Sequence, residues 1–282
     1  MRRPTPTRSV LGTFVVLALA TASGCSADKV QVAPPDELYR TATQDYVDGN
    51  YGISIQTYKY LLDHYPLDPR AEDVELRIAE AHFANGAYAE AIATYIDFQR
   101  MHPTSPRLAE VEFQIGMAYV GQMDTIDRDL NAAASAHARL ESVILRYPNS
   151  DYAKRAKEEL KSVREHLASR ELYVAEFYAR RGNHSATRTR AGALLATYPE
   201  TQAAVDALSV IAADAHSAGD DDVAQLADAA HAEASANPET IPARTQGSAG
   251  LALRNRIAPN AVASQITPIT PPPSGKSAAK PL

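Results

Sequence analysis

Tryptophan is absent from the chain and cysteine occurs once, so neither an internal disulfide framework nor a CxxC pair for zinc or redox chemistry can be built from it. Positive charge is in deficit: 28 Lys and Arg stand against 34 Asp and Glu, a net charge of −6 over 282 residues, which argues against the broad basic surface of a general nucleic-acid binder. The GxGxxG, Walker A, HExxH and GxSxG motifs are missing, and with them the usual starts for dinucleotide, nucleotide, metalloprotease and serine-hydrolase chemistry. The eight histidines (His64, His82, His102, His137, His166, His184, His216, His231) are never paired at i, i+4, so they read as surface or packing residues and no metal or cofactor site is expected. Asp124, Asp127, Asp129 and Asn131 crowd one loop, but without the central Gly and terminal Glu of an EF-hand they read as a solvated turn ahead of a helix.

What is present begins at the N-terminus. Arg2, Arg3 and Arg8 precede an apolar run from Val10 to Ala22, the order of a secretory signal. The run is about thirteen residues, too short for the ~20 that cross a bilayer. Ala22-Ser23-Gly24-Cys25 resembles a bacterial lipobox, which makes Cys25 the lipidated first residue of the mature chain; Ala20-Thr21-Ala22 offers an ordinary cleavage site as the alternative. Two or three acyl chains at about 0.8 kcal/mol per buried CH₂ anchor a protein stably where one does not. Ser26, where an Asp would retain a lipoprotein at the inner membrane, implies by the same resemblance an outer-membrane location facing the periplasm.

A repeat fills the middle of the chain. Five stops, Tyr65-Pro66, His102-Pro103, Tyr147-Pro148, Tyr198-Pro199 and Asn237-Pro238, each close an apolar stretch of helical period, and each follows a Gly: Gly49, Gly86, Gly121, Gly182 and Gly219. The Gly-to-Pro distance is 17 residues in units one, two and four, 19 in unit five and 27 in unit three. Gly ends one helix in a left-handed turn, about four turns of the next follow, and Pro stops it. In unit two, Val74, Ile78 and Ala81 form one apolar face and Tyr88, Ala91, Ile92, Tyr95 and Phe98 the returning one. Small Ala42, Ala79 and Ala91 mark close helix approaches, and Tyr51, Tyr58, Tyr88 and Tyr95 fill the remaining space, a pattern similar to the tetratricopeptide repeat. Unit three carries about ten extra residues near 123–131, and 150–181 reads as one helix of about 30 residues.

The expected fold is therefore all-α, a solenoid of five tetratricopeptide-like hairpins with about ten helices. Its expected divisions are a signal segment 1–24, a linker 25–35, the solenoid 36–238 and a Pro-rich disordered tail 239–282 holding seven Pro. Loss of the three arginines of residues 1–24 takes the net charge from −6 to −9. Residues 151–190 hold ten Lys and Arg against six acids, whereas 191–238 hold eight acids and no Lys or Arg. Within this basic stretch Arg180, Arg181, Arg188 and Arg190 are the candidate partner-binding residues, since Arg pairs bidentately with carboxylates at interfaces; the alternative is a solvated helix face laced with i, i+4 pairs.

Taken in order, the strings from Pro34 to Tyr39, Asp48 to Tyr51, Asp127 to Asp129, Tyr147 to Ala153, Tyr173 to Tyr178 and Tyr198 to Ala203 resemble the BamD (ComL) family of outer-membrane β-barrel assembly lipoproteins along nearly all of residues 34–236. The resemblance implies a lipid-anchored scaffold and not an enzyme. Its implied partners are a BamA-like barrel protein held through its POTRA region, smaller assembly lipoproteins, and the C-terminal segments of unfolded outer-membrane proteins. Arg190 matches the family's Arg facing BamA, and Tyr39, Tyr51, Tyr58, Tyr88 and Tyr95 are the candidate client groove. Nucleic acid is not among the partners. A secretin pilotin or a coordinator of envelope constriction would use the same repeats, whereas a wall-cleaving enzyme would need a further globular domain that 239–282 does not supply.

Overall fold

The computed structural model describes residues 32–126, 130–236 and 245–257. Cys25 and the signal segment, Asp127 and Asp129, and the tail beyond residue 257 lie outside the described residues. Helices pair in sequence as α1 (Pro35–Val47) with α2 (Tyr51–His64), α3 (Ala71–Ala84) with α4 (Tyr88–Met101), α5 (Leu108–Gly121) with α6 (Asn131–Arg146), α7 (Asp151–Ala179) with α8 (His184–Thr197), and α9 (Gln202–Ala218) with α10 (Asp221–Ala236). An eleventh helix, α11 (Ser248–Ile257), follows. The all-α solenoid of five hairpins is thus the observed fold.

The punctuation acts as local physics requires. Gly49, Gly86, Gly182 and Gly219 adopt φ between 66° and 79°, the left-handed region that lets a helix end and the chain turn back. Tyr65, His102, Tyr147 and Tyr198 close α2, α4, α6 and α8 at φ between −132° and −122°, because the ring of the following Pro disfavours helical geometry at the preceding residue. Ser150 caps α7 by accepting the Ala153 amide at 3.1 Å. Gly121 departs from the expectation: it is the last residue of α5 and is absent from the positive-φ glycines. Its role is close approach, since a Cβ there would stand 2.4 Å from the Tyr88 ring.

The core is a chain of clusters shared between successive hairpins. Leu38, Ala42, Ile55, Tyr58 and Leu61 of the first hairpin pack with Val74, Ile78 and Ala81 of α3. Leu76, Ala79, Ala91, Tyr95 and Phe98 then join Val111, Ile115 and Ala118 of α5. Each hairpin leaves an apolar face that only its neighbour can cover, which is why the units stack. The 29-residue α7 enters two of these clusters, giving Ala156 and Val163 to the third hairpin and Ala168 and Ala175 to the fourth.

Composition places 239–282 in a disordered tail, and α11 corrects this for the residues described. Leu253 is fully buried in the cluster of the last two hairpins, and the Glu233 carboxylate receives the Ser248 hydroxyl and the Ala249 amide at the start of α11. Burial by tertiary contact and capping by a residue 15 positions away leave no periodic signal in so short a stretch.

Candidate interaction surfaces

The four candidate arginines do not form one surface. Arg180 and Arg181 are exposed beside the α7–α8 turn, with Arg180 3.4 Å from Glu176 and the Arg181 guanidinium 3.9 Å from the Phe177 ring centroid. Arg188 and Arg190 lie on α8 only two residues apart, so they leave different faces of the helix. Arg188 turns to the last hairpin, where its Nη1 donates to Asp220 at 2.6 Å and its Nε lies 3.6 Å from Asp214. Arg190 turns back to α7 and pairs with Glu171 at 3.5 Å.

The carboxylates that hold them are what the sequence reading missed. Asp214 is almost wholly buried and also meets His184 Nδ1 at 2.9 Å. One acid at the register of Ala207 and Ile211 on the buried face of α9 was its signal in the sequence. Asp220 is held below the usual carboxylate range, chiefly by its hydrogen bond from Arg188. Burial pushes the Glu171 carboxyl up, against the pull of Arg190 and Arg170.

The candidate tyrosines separate in the same way. Tyr58 and Tyr95 belong to the core, at 0% and 1% exposure, and are withdrawn from the client groove. The Tyr58 hydroxyl is hydrogen-bonded to Thr43 at 2.8 Å, and burial, before any charge, raises the Tyr95 phenol far above its ordinary range. The physical reason is helix geometry: both stand on the second helix of a hairpin at the register that faces inward, with Ile55 and Leu61 or with Ala91 and Phe98. Tyr39, Tyr51 and Tyr88 are half-buried. Tyr39 donates to Asp73 at 2.8 Å beneath the Arg70 guanidinium, Tyr51 meets Tyr46 edge-on at 5.4 Å, and Tyr88 meets Phe83 edge-on at 5.4 Å.

Beside Tyr39 an ion network joins α3 and the start of α5, and the Tyr39 hydroxyl ties α1 to it through Asp73. Arg107 reaches Asp73 at 3.0 Å, Glu110 at 2.9 Å and Glu80 at 3.7 Å, while Arg77 reaches Glu80 at 3.0 Å and Asp73 at 3.7 Å. Glu80 is raised by burial, partly offset by the two arginines. The network fixes the first helices of three hairpins relative to one another and sets alternating charge beside half-buried aromatics. Such a surface suits an extended peptide, whose backbone and side chains offer both polar and apolar contacts. Among the described residues no group of three or more His, Cys, Asp or Glu is placed to hold a metal ion, and no helix is long and apolar enough to cross a membrane.

Comparison with known proteins covers this same helical region. The profile of the family YfiO, described as outer membrane lipoprotein, matches residues 31–229. A protein of Vibrio cholerae named outer membrane protein assembly factor BamD is 31% identical over 207 residues, spanning 69% of this chain and 86% of that protein. Proteins of the same name from Pasteurella multocida and Xylella fastidiosa are 27% and 28% identical over 210 and 216 residues, covering 71% and 72% of this chain and 81% and 72% of theirs.

Proposed function

The chain belongs to the YfiO/BamD family of outer membrane lipoproteins, and from that membership we propose that it is a non-enzymatic scaffold of the machinery that folds and inserts outer-membrane β-barrel proteins. The observation that carries the reading is the extent of the match: residues 31–229 take in α1 to α9 entire and the first half of α10, so the shared part is the stacked solenoid itself and not one repeat within it. A solenoid acts by presenting long preformed surfaces rather than by chemistry at a point.

In this reading Cys25 carries the lipid that holds the mature chain at the outer membrane, facing the periplasm. Hairpins four and five receive a BamA-like barrel protein and smaller assembly lipoproteins. Arg180 and Arg181 are the available charges, and Arg188 and Arg190 hold the α7–α8–α10 surface in shape through Asp220 and Glu171. The first three hairpins receive the C-terminal segment of an unfolded barrel protein along Tyr39, Tyr51 and Tyr88 and the Asp73–Arg77–Glu80–Arg107 network.

The deciding experiment is affinity purification of the detergent-solubilised full chain, with identification of what comes with it. A BamA-like barrel protein is the expected companion. A secretin in its place, with no barrel-assembly protein, would overturn the reading in favour of a pilotin.

A further inference from the structure

α11 begins nineteen residues beyond the end of the family match, and it is seated on the solenoid. It packs against α8 and α10, the second helices of the last two hairpins, so it lies across their outer row. Its hold is narrow. Leu253 is the one large side chain of α11 that is fully buried; Gly250 is buried where an added Cβ would meet the carbonyl of Thr245 in the lead-in to α11, and Ala249 and Ile257 are half-covered. Thr245 donates to the Pro199 carbonyl at 3.0 Å, at the end of α8. Two exposed polar contacts to Glu233 add to it.

Charge favours this seat. Hairpin five and the half of α8 before it, residues 191–238, carry eight acids and no Lys or Arg, whereas α11 carries Arg254 and Arg256 and no acid. Arg256 lies near enough to Asp220 to favour its charged form. Ala224, Ala227, Ala230 and Ala234 of α10 belong to the buried cluster that Leu253 enters.

We propose that the groove between α8 and α10 is a receptor for a short amphipathic helix of an assembly partner, one with a leucine anchor and an arginine three positions on, and that α11 fills it in cis until displaced. The partner in this proposal rests on the scaffold reading; the groove does not. An eight-residue connection, 237–244, gives α11 an effective concentration on the order of mM, so a docked α11 needs only an intrinsic dissociation constant below that. A partner helix displaces it, and gains the same leucine seat, once the ratio of its concentration to its dissociation constant exceeds the ratio of that effective concentration to α11's own.

The test uses the solubilised full chain as wild type and with Leu253→Asp, which puts a carboxylate in the apolar seat, or Gly250→Val, whose Cβ would stand 2.0 Å from the Thr245 carbonyl oxygen. Hydrogen exchange of residues 248–257 reports whether α11 is released, and circular dichroism reports that the solenoid remains folded. Two probes are titrated: a labelled peptide of residues 245–257, and the periplasmic region of the BamA-like protein from the same membrane. Both variants are expected to bind each probe at least tenfold more tightly than wild type. Released variants that bind the peptide no better than wild type would overturn the receptor. A periplasmic region that binds wild type and variants equally, or more weakly once α11 is released, would overturn the partner's use of the groove. If that region binds neither form, it is the scaffold reading that falls, and the peptide still decides the groove.

Discussion

Arg190 and Glu171 face each other across the α7–α8 interface at 3.5 Å, with 19% and 12% of their side chains exposed. Such a pair is held in place by its surroundings, and its two charges are worth more to each other than to water only while both are present. The arginine that the family resemblance assigns to a partner is therefore first of all a residue of the fold.

Arg190→Glu places two carboxylates at that interface. Removing one partner of a buried pair costs about 3 kcal/mol at the low end of such cases, equivalent to a fall of about 6 to 12 °C in Tm for a chain of this size. Thermal unfolding followed by circular dichroism measures it, and the charge-swapped double variant Glu171→Arg with Arg190→Glu should recover part of the loss. A Tm within a degree or two of wild type would show that the pair carries no structural weight.

Arg181→Glu is expected to behave in the opposite way. Arg181 is exposed and its contact with the Phe177 ring is worth under about 1 kcal/mol, so Tm should hardly move. Affinity for the BamA-like partner should fall about tenfold, with a steeper salt dependence of the association rate in wild type than in the variant. Lys157→Glu, also exposed on α7 and in the same basic stretch, is the comparison: an equal loss there would assign the effect to overall steering and leave Arg181 no special part.

Gly121→Ala tests the close approach of α4 and α5. The added methyl would stand 2.4 Å from the Tyr88 ring, and overpacking of this kind costs about 1 to 3 kcal/mol. The same substitution in a Tyr88→Leu background should cost much less, which chemical denaturation of the four chains in a double-mutant cycle will show. Equal costs in both backgrounds would show that the ring is not the source of the cost.

Acid should loosen the turn between the first two hairpins. Asp68 accepts the Arg70 amide and two guanidinium hydrogen bonds, and Arg70 also reaches Asp36 at 2.9 Å, which ties the start of α1 to that of α3. The hydrogen bonds from the Arg70 side chain, then that from its backbone, hold the Asp68 carboxyl down at about 2. A depressed carboxyl contributes stability that is present above its unfolded value near 3.8 and is lost as the pH falls towards about 2. Asp68→Asn should therefore lower Tm at neutral pH and flatten its decline between about pH 4 and pH 2. Parallel profiles for the two chains over that range would refute the assignment.

The hairpins were legible because Gly and Pro act on their own neighbours: the turn at Gly49 and the stop at Tyr65-Pro66 need nothing from the rest of the chain. Gly121 broke the rule because the reason for its lack of a side chain, the Tyr88 ring, sits 33 residues away. Distance hid the arginine partners too, since Asp220, just ahead of α10, and Glu171, on α7, lie outside the helix that carries Arg188 and Arg190. Tyr58 and Tyr95 carry the register of a core position and the chemistry of a binding one, and only their packing separates the two uses.

α7 has the widest reach of any element. At 1.5 Å per residue its 29 residues span about 44 Å, free of Gly and Pro, with one end clamped among α5 and α6 and the other among α8 and α9. It works as a lever with no elbow: a tilt of about 5° at one end carries the other through about 4 Å. Any displacement of the fourth and fifth hairpins that keeps α7 straight would therefore have to be shared by the third.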